Sequence, residues 1–271
     1  MCYRFILAAV DETGAGRHVA AMARDLAARA GARLSLLTSI PVSTVSPARH
    51  AAAEAVLADI EVSLGLEPGA PVTRTVVRGV PGIEVPRFAE QHGADLIVLG
   101  HTPRTQSARL LVGDTADSVA RRSRVPCLLL PPGRNLTGEI LASVDGSRHT
   151  PAVLDAACRL AAAVGYPVHA VTVEPSRSDE ARGTGVMVPL ARSVQLEATV
   201  AAAGARWGAD LALDIRQGEI VEEVLAACRE RAAAVLVTGF LRGGPPGVME
   251  GGSIARQLVH GSDSAVLTVP I

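Results

Sequence analysis

Lysine is absent from the 271-residue chain, whose 26 basic residues are all arginine. This absence excludes P-loop nucleotide hydrolases, protein kinases, and the pyridoxal enzymes and aldolases that form Schiff bases, because each needs a lysine side chain. Aromatic residues make up only 2% of the chain, and the net charge is −1. Single-stranded nucleic acid is bound by stacking bases on aromatic rings, and duplexes are bound by clustered positive charge. No nucleic-acid partner is therefore expected.

Cysteine is scarce, and long apolar runs are missing. The four cysteines form no C-x-x-C pair, so neither a zinc site nor a disulfide framework is predicted, and Cys127 and Cys158 are expected to be small core residues. The apolar run at 5–10 ends at Asp11, and no later run approaches the 18 residues of a membrane span. A cytoplasmic protein without a membrane partner fits this pattern.

An internal duplication organises the chain. The segment 5–11 repeats at 139–145, an offset of 134, and this offset also pairs Thr38 with Thr172. Further along the offset becomes 139, which pairs Gly100 with Gly239 and Gly113 with Gly252. A five-residue insertion near 175–190 accounts for the change. The sequence thus predicts two domains, 1–133 and 138–271.

Each copy alternates short apolar runs with alanine-rich amphipathic stretches, which is typical of β-α-β units on a parallel sheet. Runs such as Leu96–Leu99 are continuously apolar, as expected of strands covered on both faces. The predicted strands lie near 4–10, 33–40, 72–77, 95–99, 126–130, 139–144, 167–173, 211–215, 234–238 and 265–269. The predicted helices lie near 15–30, 47–64, 81–92, 113–123, 150–164, 189–206, 219–232 and 252–260.

Polar and glycine residues recur where the first and fourth strands of each copy end. Asp11 and Asp145 each end a first strand and are followed two residues later by a hydroxyl side chain. Gly100 and Gly239 end the fourth strands. Ligands of open α/β sheets bind at the carboxyl ends of the strands, where the strand order reverses. These residues are therefore candidates for a ligand site.

The fourth strand of each copy is followed by a similar spacing of residues. Copy two has Gly239-x2-Arg242-x9-Gly252-Ser253, and copy one has Gly100-x2-Pro103-x9-Gly113-Asp114. A glycine at the start of a helix allows backbone N–H groups to approach a phosphate. The alternative is that all four glycines are turn and cap residues needed by the fold alone.

This spacing resembles the G-2x-G-9x-G-(S/T) motif of the universal stress protein family, and the resemblance covers both copies. It implies an α/β fold of two tandem five-stranded parallel sheets of order 3-2-1-4-5. Family members with the full motif bind ATP, so the resemblance allows ATP, with Mg²⁺, as the ligand. It further implies that Asp145 faces the ribose–adenine end and that Val173 packs on adenine. The residues implied to cradle the phosphates are Gly239, Gly252, Ser253 and Ile254.

The two copies depart from the motif differently. Arg242 replaces the second glycine of copy two, where a guanidinium can still bind a phosphate. Pro103 replaces it in copy one and removes an N–H donor, and Asp114 brings a carboxylate to the phosphate end. Asp114 also suits a helix N-cap. Copy two is thus expected to be the better nucleotide site, and Asp11, Gly100 and Gly113 form a weaker one.

Two roles remain open for Asp145, which either accepts hydrogen bonds from ribose hydroxyls or caps the turn that follows it. His101 is expected to be a solvated loop residue.

The chain as a whole is interpreted as a nucleotide-linked regulator of a stress response, with at most slow ATPase activity. The first alternative is a scaffold that has lost the nucleotide site and acts through an unknown protein partner. An ATP pyrophosphatase is disfavoured because neither first strand is followed by an S-G-G-x-D-S loop.

The last strand of each copy is apolar and is predicted to lie at a sheet edge, at 125–130 and 264–269. An exposed apolar edge favours pairing with another strand. The two copies are therefore predicted to pack as an intramolecular pseudo-dimer, and the whole chain could also form a homodimer.

Overall fold

The structure is a computed structural model, which describes residues 3–44, 46–65, 72–101, 115–174, 190–242 and 254–271. The chain divides into two compact units, with the boundary between Asn135 and Leu136. Each unit is an α/β sheet with helices as the connections between parallel strands.

The first unit contains the strands and helices up to β5. Its strands are β1 (Phe5–Ala9), β2 (Arg33–Ile40), β3 (Val72–Arg78), β4 (Leu96–Gly100) and β5 (Cys127–Leu130). Its helices are α1 (Gly14–Ala30), α2 (Pro47–Ser63), α3 (Pro81–His92) and α4 (Thr115–Arg122), with one 3₁₀ turn at Val42–Thr44.

The second unit repeats this series. Its strands are β6 (Glu139–Ser143), β7 (Val168–Glu174), β8 (Ala212–Gln217), β9 (Ala233–Phe240) and β10 (Ala265–Pro270). Its described helices are α5 (Thr150–Val164), α6 (Leu190–Trp207), α7 (Ile220–Glu230) and α8 (Ile254–Gly261).

The strand order within each unit confirms the predicted fold. In the first unit it is β3-β2-β1-β4-β5, and in the second it is β8-β7-β6-β9-β10, so both have the order 3-2-1-4-5. The predicted strands and helices all occur, and their ends agree with the prediction to within two residues. Leu96–Leu99 is buried throughout, as expected of a strand covered on both faces. Pairing of the two copies through their last strands stays a prediction.

Local sequence rules explain where several helices begin. Ser46 precedes α2, and its hydroxyl accepts a hydrogen bond from the backbone N–H of Arg49 at 3.1 Å. Pro47 follows at the first helical position, where its missing N–H costs nothing. At α7 the carboxylate of Glu219 accepts from the N–H of Val221 at 2.8 Å and from that of Glu222 at 3.2 Å.

The interior of the chain holds Cys127 and Cys158 as core residues, as predicted, and it also holds Cys228. Cys127, Cys158 and Cys228 are buried. Burial, with a smaller effect of the Asp155 carboxylate, raises the pKa of the Cys158 thiol to about 11. Burial raises the pKa of the Cys228 thiol to about 12. Both thiols are therefore neutral at physiological pH.

We expect these three thiols to resist alkylation at pH 8 in the folded protein. The thiolate is the reactive species. Burial shields all three sulfur atoms from the reagent, and the raised pKa further suppresses the thiolate of Cys158 and of Cys228. In the unfolded chain the pKa returns to about 8.5, so all three should then react. Peptide mapping by mass spectrometry, with and without denaturant, checks each cysteine separately. Rapid native labelling of Cys158 or Cys228 would contradict the burial described here.

Candidate functional site

The carboxyl ends of the central strands bring the predicted residues of the first unit together. β1 lies between β2 and β4, which is where the strand order reverses. Ala9 pairs with Leu37 on one side and with Leu99 on the other. Two residues further along this register, Asp11 lies level with Ser39 and His101.

Asp11 is exposed and makes a tight local turn. Its carboxylate oxygen Oδ1 accepts from the backbone N–H of Thr13 at 3.0 Å and from the Thr13 hydroxyl at 2.5 Å. One carboxylate oxygen is thus used by the turn that leads into α1. The hydroxyl two residues after the aspartate, noted in the sequence, therefore holds the carboxylate at the edge of the sheet.

Gly16 lets the first turn of α1 lie directly against Asp11. A Cβ atom at Gly16 would be 2.2 Å from the backbone oxygen of Asp11 and 2.8 Å from its Oδ1. No side chain fits in that space. This close approach fixes the position of α1 relative to the end of β1.

A cavity of about 250 Å³ opens at this edge of the first unit. It is bounded by the ends of β1, β2, β4 and β5 and by the start of α1. Its polar lining side chains are Asp11, His18, Thr38, Ser39, His101 and Thr115. No arginine occurs among the described residues that line it.

His101 was expected to be solvated, and this expectation is wrong. The residue is only 4% exposed and lines the cavity, directly after Gly100 at the end of β4. Its backbone N–H donates to the carbonyl oxygen of Leu130 at 2.8 Å, which continues the pairing of β4 with β5 for one more residue. That bond holds the backbone in line with the strand, so the side chain stays inside the unit.

The second unit has an equivalent edge around Asp145. Ser143 pairs with Val171 and with Thr238, so Asp145 lies level with Val173 and Phe240. The Asp145 side chain is exposed, and Val173 is half-buried beside it on β7. The register thus brings Asp145 and Val173 to one edge of the sheet, and their roles toward a nucleotide stay predictions.

The Asp145 carboxylate also takes part in a turn. Its Oδ1 accepts from the backbone N–H of Ser147 at 2.9 Å and from the hydroxyl of Thr150 at 3.4 Å. The turn-capping role considered from the sequence is therefore present in the structure. A carboxylate accepts through both oxygens, each with two lone pairs, so this turn by itself does not exclude a ligand role.

Gly239 lies inside β9 and not at its end, which corrects the sequence prediction. The strand runs one residue further because the N–H of Ile271 donates to the carbonyl oxygen of Phe240 at 3.1 Å. The side chain of Ile271 packs over the glycine, since a Cβ at Gly239 would be 3.2 Å from Ile271 Cδ1. The backbone N–H of Arg242 also donates to Ile271, at 3.4 Å.

Arg242 and Ile254 flank the segment that carries the rest of the motif. Arg242 is exposed, and within the described part of the chain its guanidinium makes no ion pair or hydrogen bond. Ile254 begins α8 and is 44% exposed. Gly252 and Ser253 lie outside the described residues, as do Pro103, Gly113 and Asp114 of the first unit. The structure therefore describes only the strand side of both glycine motifs.

A comparison with known protein families matches residues 3–131 and 137–270 to the Universal stress protein family. Together the two matched ranges span nearly the whole chain. The chain belongs to the universal stress protein family.

Individual relatives agree with this family. The universal stress protein MJ0531 of Methanocaldococcus jannaschii is 38% identical over 64 residues, 24% of this chain and 38% of that protein. The chain spans about 38% of the length of the curated relatives it matches. A universal stress protein structure from Archaeoglobus fulgidus aligns at a TM-score of 0.75 and 18% identity, covering 98% of this chain and 98% of its own. An identity this low shows the fold alone.

A shorter match was solved with a ligand. A universal stress protein in complex with cAMP is 23% identical and covers 48% of this chain and 98% of its own, at a TM-score of 0.42.

Within the described ranges of this family member, no helix is long and apolar enough to cross a membrane. The same ranges hold no group of three histidine, cysteine or acidic side chains able to bind a metal ion.

Three contributors to these edges of the universal stress protein fold were missed by sequence reasoning. They are Gly16, His18 and Ile271. The repeat itself offered a signal for all three, since the offsets pair Gly16 with Thr150, His18 with Ala152 and Pro132 with Ile271. Where the offsets pair side chains of different size or polarity, the two sheet edges differ in chemistry.

Proposed function

We propose that this protein binds an adenine nucleotide at the carboxyl edge of its second unit and acts as a stress-response regulator. The observation that carries the proposal is the presence of two opposite exposed charges at this edge, the Asp145 carboxylate and the Arg242 guanidinium, which has no ion pair among the described residues. A carboxylate accepts hydrogen bonds from ribose hydroxyls and repels phosphate. A guanidinium can donate two parallel N–H hydrogen bonds to the oxygens of one phosphate. The two charges would therefore orient a nucleotide along the edge.

The remaining residues take the roles that the family resemblance implies. Val173 would pack on the adenine, at the level of Asp145. Gly239, Gly252, Ser253 and Ile254 would surround the phosphates, with helix α8 offering N–H groups at its start. The N–H of Arg242 is already donated to Ile271, so this residue would act through its side chain.

ATP with Mg²⁺ is the ligand we propose for this edge. Mg²⁺ usually enters a site bound to the phosphate oxygens and keeps several of its waters, so it needs few protein ligands. The acidic Asp145 lies at the nucleoside end and would not compete for the metal. We propose no fast hydrolysis, and ATPase activity is expected to be slow at most.

Replacing Arg242 with alanine is expected to weaken ATP binding about tenfold to a hundredfold. A hydrogen bond to a charged group contributes roughly 1.5–3 kcal/mol, and each 1.4 kcal/mol is a factor of about ten in affinity. Isothermal titration calorimetry with ATP measures the loss. Because Arg242 is exposed and unpaired within the described chain, the melting temperature of the ligand-free protein should stay the same.

The matched control is Arg229→Ala in the same unit. Arg229 is an exposed arginine in the last turn of α7, which lies at the opposite end of the parallel strands. Its loss changes the net charge equally but should leave ATP affinity unchanged. Equal weakening by both variants would show that only the overall charge matters and would contradict a site at Arg242.

The two units should differ in affinity, with the second favoured. Gly252→Val should abolish ATP binding, and Gly113→Val should leave it nearly unchanged. If only Gly113→Val abolished binding, the assignment of the sites would be reversed.

A scaffold without a nucleotide remains a second candidate, and one contact favours it. Ile271 covers Gly239 and occupies the N–H of Arg242, so this edge is partly filled by the chain itself. Native mass spectrometry of freshly purified protein separates the two candidates. A bound mass equal to ATP or another adenine nucleotide supports the binder, and its absence together with a bound protein partner supports the scaffold.

A further inference from the structure

The starts of the strands in the first unit form a second edge of its sheet, opposite to the edge with Asp11. Helices α1, α3 and α4 return the chain to this edge, so they end beside the strand starts. Exposed arginines gather at this amino edge, and we call them the arginine edge. They are Arg4, Arg29, Arg33, Arg122 and Arg124.

Backbone hydrogen bonds hold the centre of the arginine edge in line. The N–H of Arg33 donates to the carbonyl oxygen of Arg4 at 3.0 Å, and the N–H of Arg4 donates to the Asp95 carboxylate at 3.0 Å. The strands that start here lie in the order β2-β1-β4-β5. With neighbouring strands about 4.8 Å apart, the arginine edge is roughly 14 Å long from Arg33 to Arg124.

The guanidinium of Arg33 is already held in place. Its Nη2 donates to the carbonyl oxygen of His92 at 3.2 Å, and its Cζ lies 4.1 Å from the centroid of the Phe5 ring. Arg33 is still exposed. An ordered guanidinium loses less side-chain freedom when it binds an anion, so Arg33 can bind a carboxylate without rearrangement.

Arg124 lies on a turn that both units share. The hydroxyls of Ser123 and Ser262 each accept from the backbone N–H two residues later, at 2.9 and 3.1 Å. The residue inside the turn is exposed in both units, Arg124 in the first and Asp263 in the second. Because the turn is the same, the fold does not determine the charge at this position.

The repeat shows that the fold does not need the arginine edge. The offsets of 134 and 139 pair its members with Gly138, Ala163, Pro167, Gly261 and Asp263, none of which is basic. A cation near a helix end interacts favourably with the helix dipole, as Arg29 does in the last turn of α1. Helix α5, the counterpart of α1, forms without a basic residue in its last turn. The five cations are thus a property of the first unit alone.

The charge of the arginine edge is only partly compensated. Within the described ranges, the guanidiniums of Arg4 and Arg124 make no ion pair. The Asp95 carboxylate is used by the backbone N–H groups at the start of β1. Glu90 is exposed in the last turn of α3 and removes one unit of charge. The edge therefore stays positive.

Several other carboxylates at the two amino edges already have cations beside them. In the first unit, Asp25 and Glu61 each pair with an arginine outside the arginine edge. In the second unit, Glu139 takes the place of Phe5 and lies 3.5 Å from Nη1 of Arg231. The second unit thus supplies its own negative charge at the corner where the first unit has an aromatic ring.

Two classes of anionic partner fit this edge poorly. Nucleic acid needs exposed rings for stacking or a wide positive field, whereas Tyr3 and Phe5 are 2% and 6% exposed and the net charge of the chain is −1. A membrane surface is held by apolar side chains together with charge. Among the large apolar side chains that the structure describes, only Val62 is exposed near this edge.

An extended acidic peptide matches the arginine edge in length and in charge. An extended chain rises about 3.3 Å per residue, so roughly 14 Å corresponds to about four residues. Each guanidinium can donate two parallel N–H hydrogen bonds to one carboxylate.

We propose that the arginine edge of the first unit binds an acidic segment of a partner protein, in which Asp and Glu side chains are clustered. The carboxylates of that segment would supply the negative charge that the first unit lacks. The nucleotide site lies at the carboxyl edge of the second unit, so this inference does not depend on it.

Fluorescence anisotropy on the full chain tests the proposal with a labelled peptide of about six glutamates, compared with the same peptide carrying glutamines. The glutamate peptide should bind, and the glutamine peptide should not. Combining Arg4→Ala with Arg124→Ala should weaken binding about threefold to tenfold, because exposed ion pairs contribute modestly. Added salt should weaken binding to the unaltered protein.

The matched control combines Arg49→Ala with Arg229→Ala. Arg49 is exposed at the start of α2, at the opposite edge of the first unit, and Arg229 is exposed in the second unit. Both double variants lose two positive charges, so the change in net charge is the same. Only the variant of Arg4 and Arg124 should lose affinity for the glutamate peptide.

Equal binding of the two peptides, or equal losses in the two double variants, would overturn the proposal. Tighter binding of oligothymidylate or of phosphatidylserine vesicles than of the glutamate peptide would also overturn it, because the edge would then serve another class of partner. Melting temperatures check that each variant folds. Should the variant of Arg4 and Arg124 fail to fold, Arg29→Ala combined with Arg122→Ala replaces it and should show the same loss.

Discussion

Replacing Asp145 with alanine is expected to weaken ATP binding about tenfold to a hundredfold. The carboxylate lies level with Val173 at the reversal of strand order, where ribose hydroxyls would donate to it. Such charge-assisted hydrogen bonds contribute roughly 1.5–3 kcal/mol. The variant should also lose about 1 kcal/mol of stability, because Oδ1 accepts from the Ser147 N–H and the Thr150 hydroxyl. Calorimetry and thermal unfolding measure the two losses separately.

Asp145→Asn separates binding from capping. The amide oxygen can still accept from the Ser147 N–H, so the turn should persist and the melting temperature should hardly change. The charge is gone, so ATP affinity should still fall. Asp11→Ala, at the equivalent position of the first unit, should leave ATP affinity unchanged. If Asp145→Ala lowered the melting temperature without changing ATP affinity, Asp145 would be a cap only.

Gly16→Ala is expected to destabilise the first unit by about 1–3 kcal/mol. The added Cβ would lie 2.2 Å from the backbone oxygen of Asp11, so either α1 or the end of β1 must move. Forcing a methyl group into packed structure typically costs this much. For a chain of this size the midpoint of thermal unfolding should fall by about 2–12 °C.

Gly14→Ala is the matched control for Gly16→Ala. Gly14 lies in the same helical turn, but a Cβ there would meet no atom within 4 Å. Alanine restricts the unfolded chain and favours the helix, so this variant should be more stable by about 0.4–1 kcal/mol. Opposite signs for the two variants are the expected result, measured by differential scanning calorimetry. Equal stability changes would contradict the close approach of α1 to Asp11.

Much of the fold could be predicted from the sequence because its signals are local or periodic. The offsets of 134 and 139 established the duplication, since they align strand ends and glycines without any knowledge of packing. The continuous apolar run Leu96–Leu99 indicated a strand covered on both faces, and the structure buries all of it. Asp11 and Asp145 could be identified as strand-end residues because an apolar run stops at each of them.

The sequence by itself determined the α/β repeat, the order of strands and helices along the chain, and the carboxylates at two sheet edges. Only the tertiary structure decided that His101 is buried, that Gly16 touches Asp11, and that Ile271 covers Gly239. The physical reason is sequence distance: these contacts join segments that the chain brings together only when separate strands pair and helices pack on them. Periodicity shows which face of an element is apolar, but it does not show which distant side chain fills the space at a strand end.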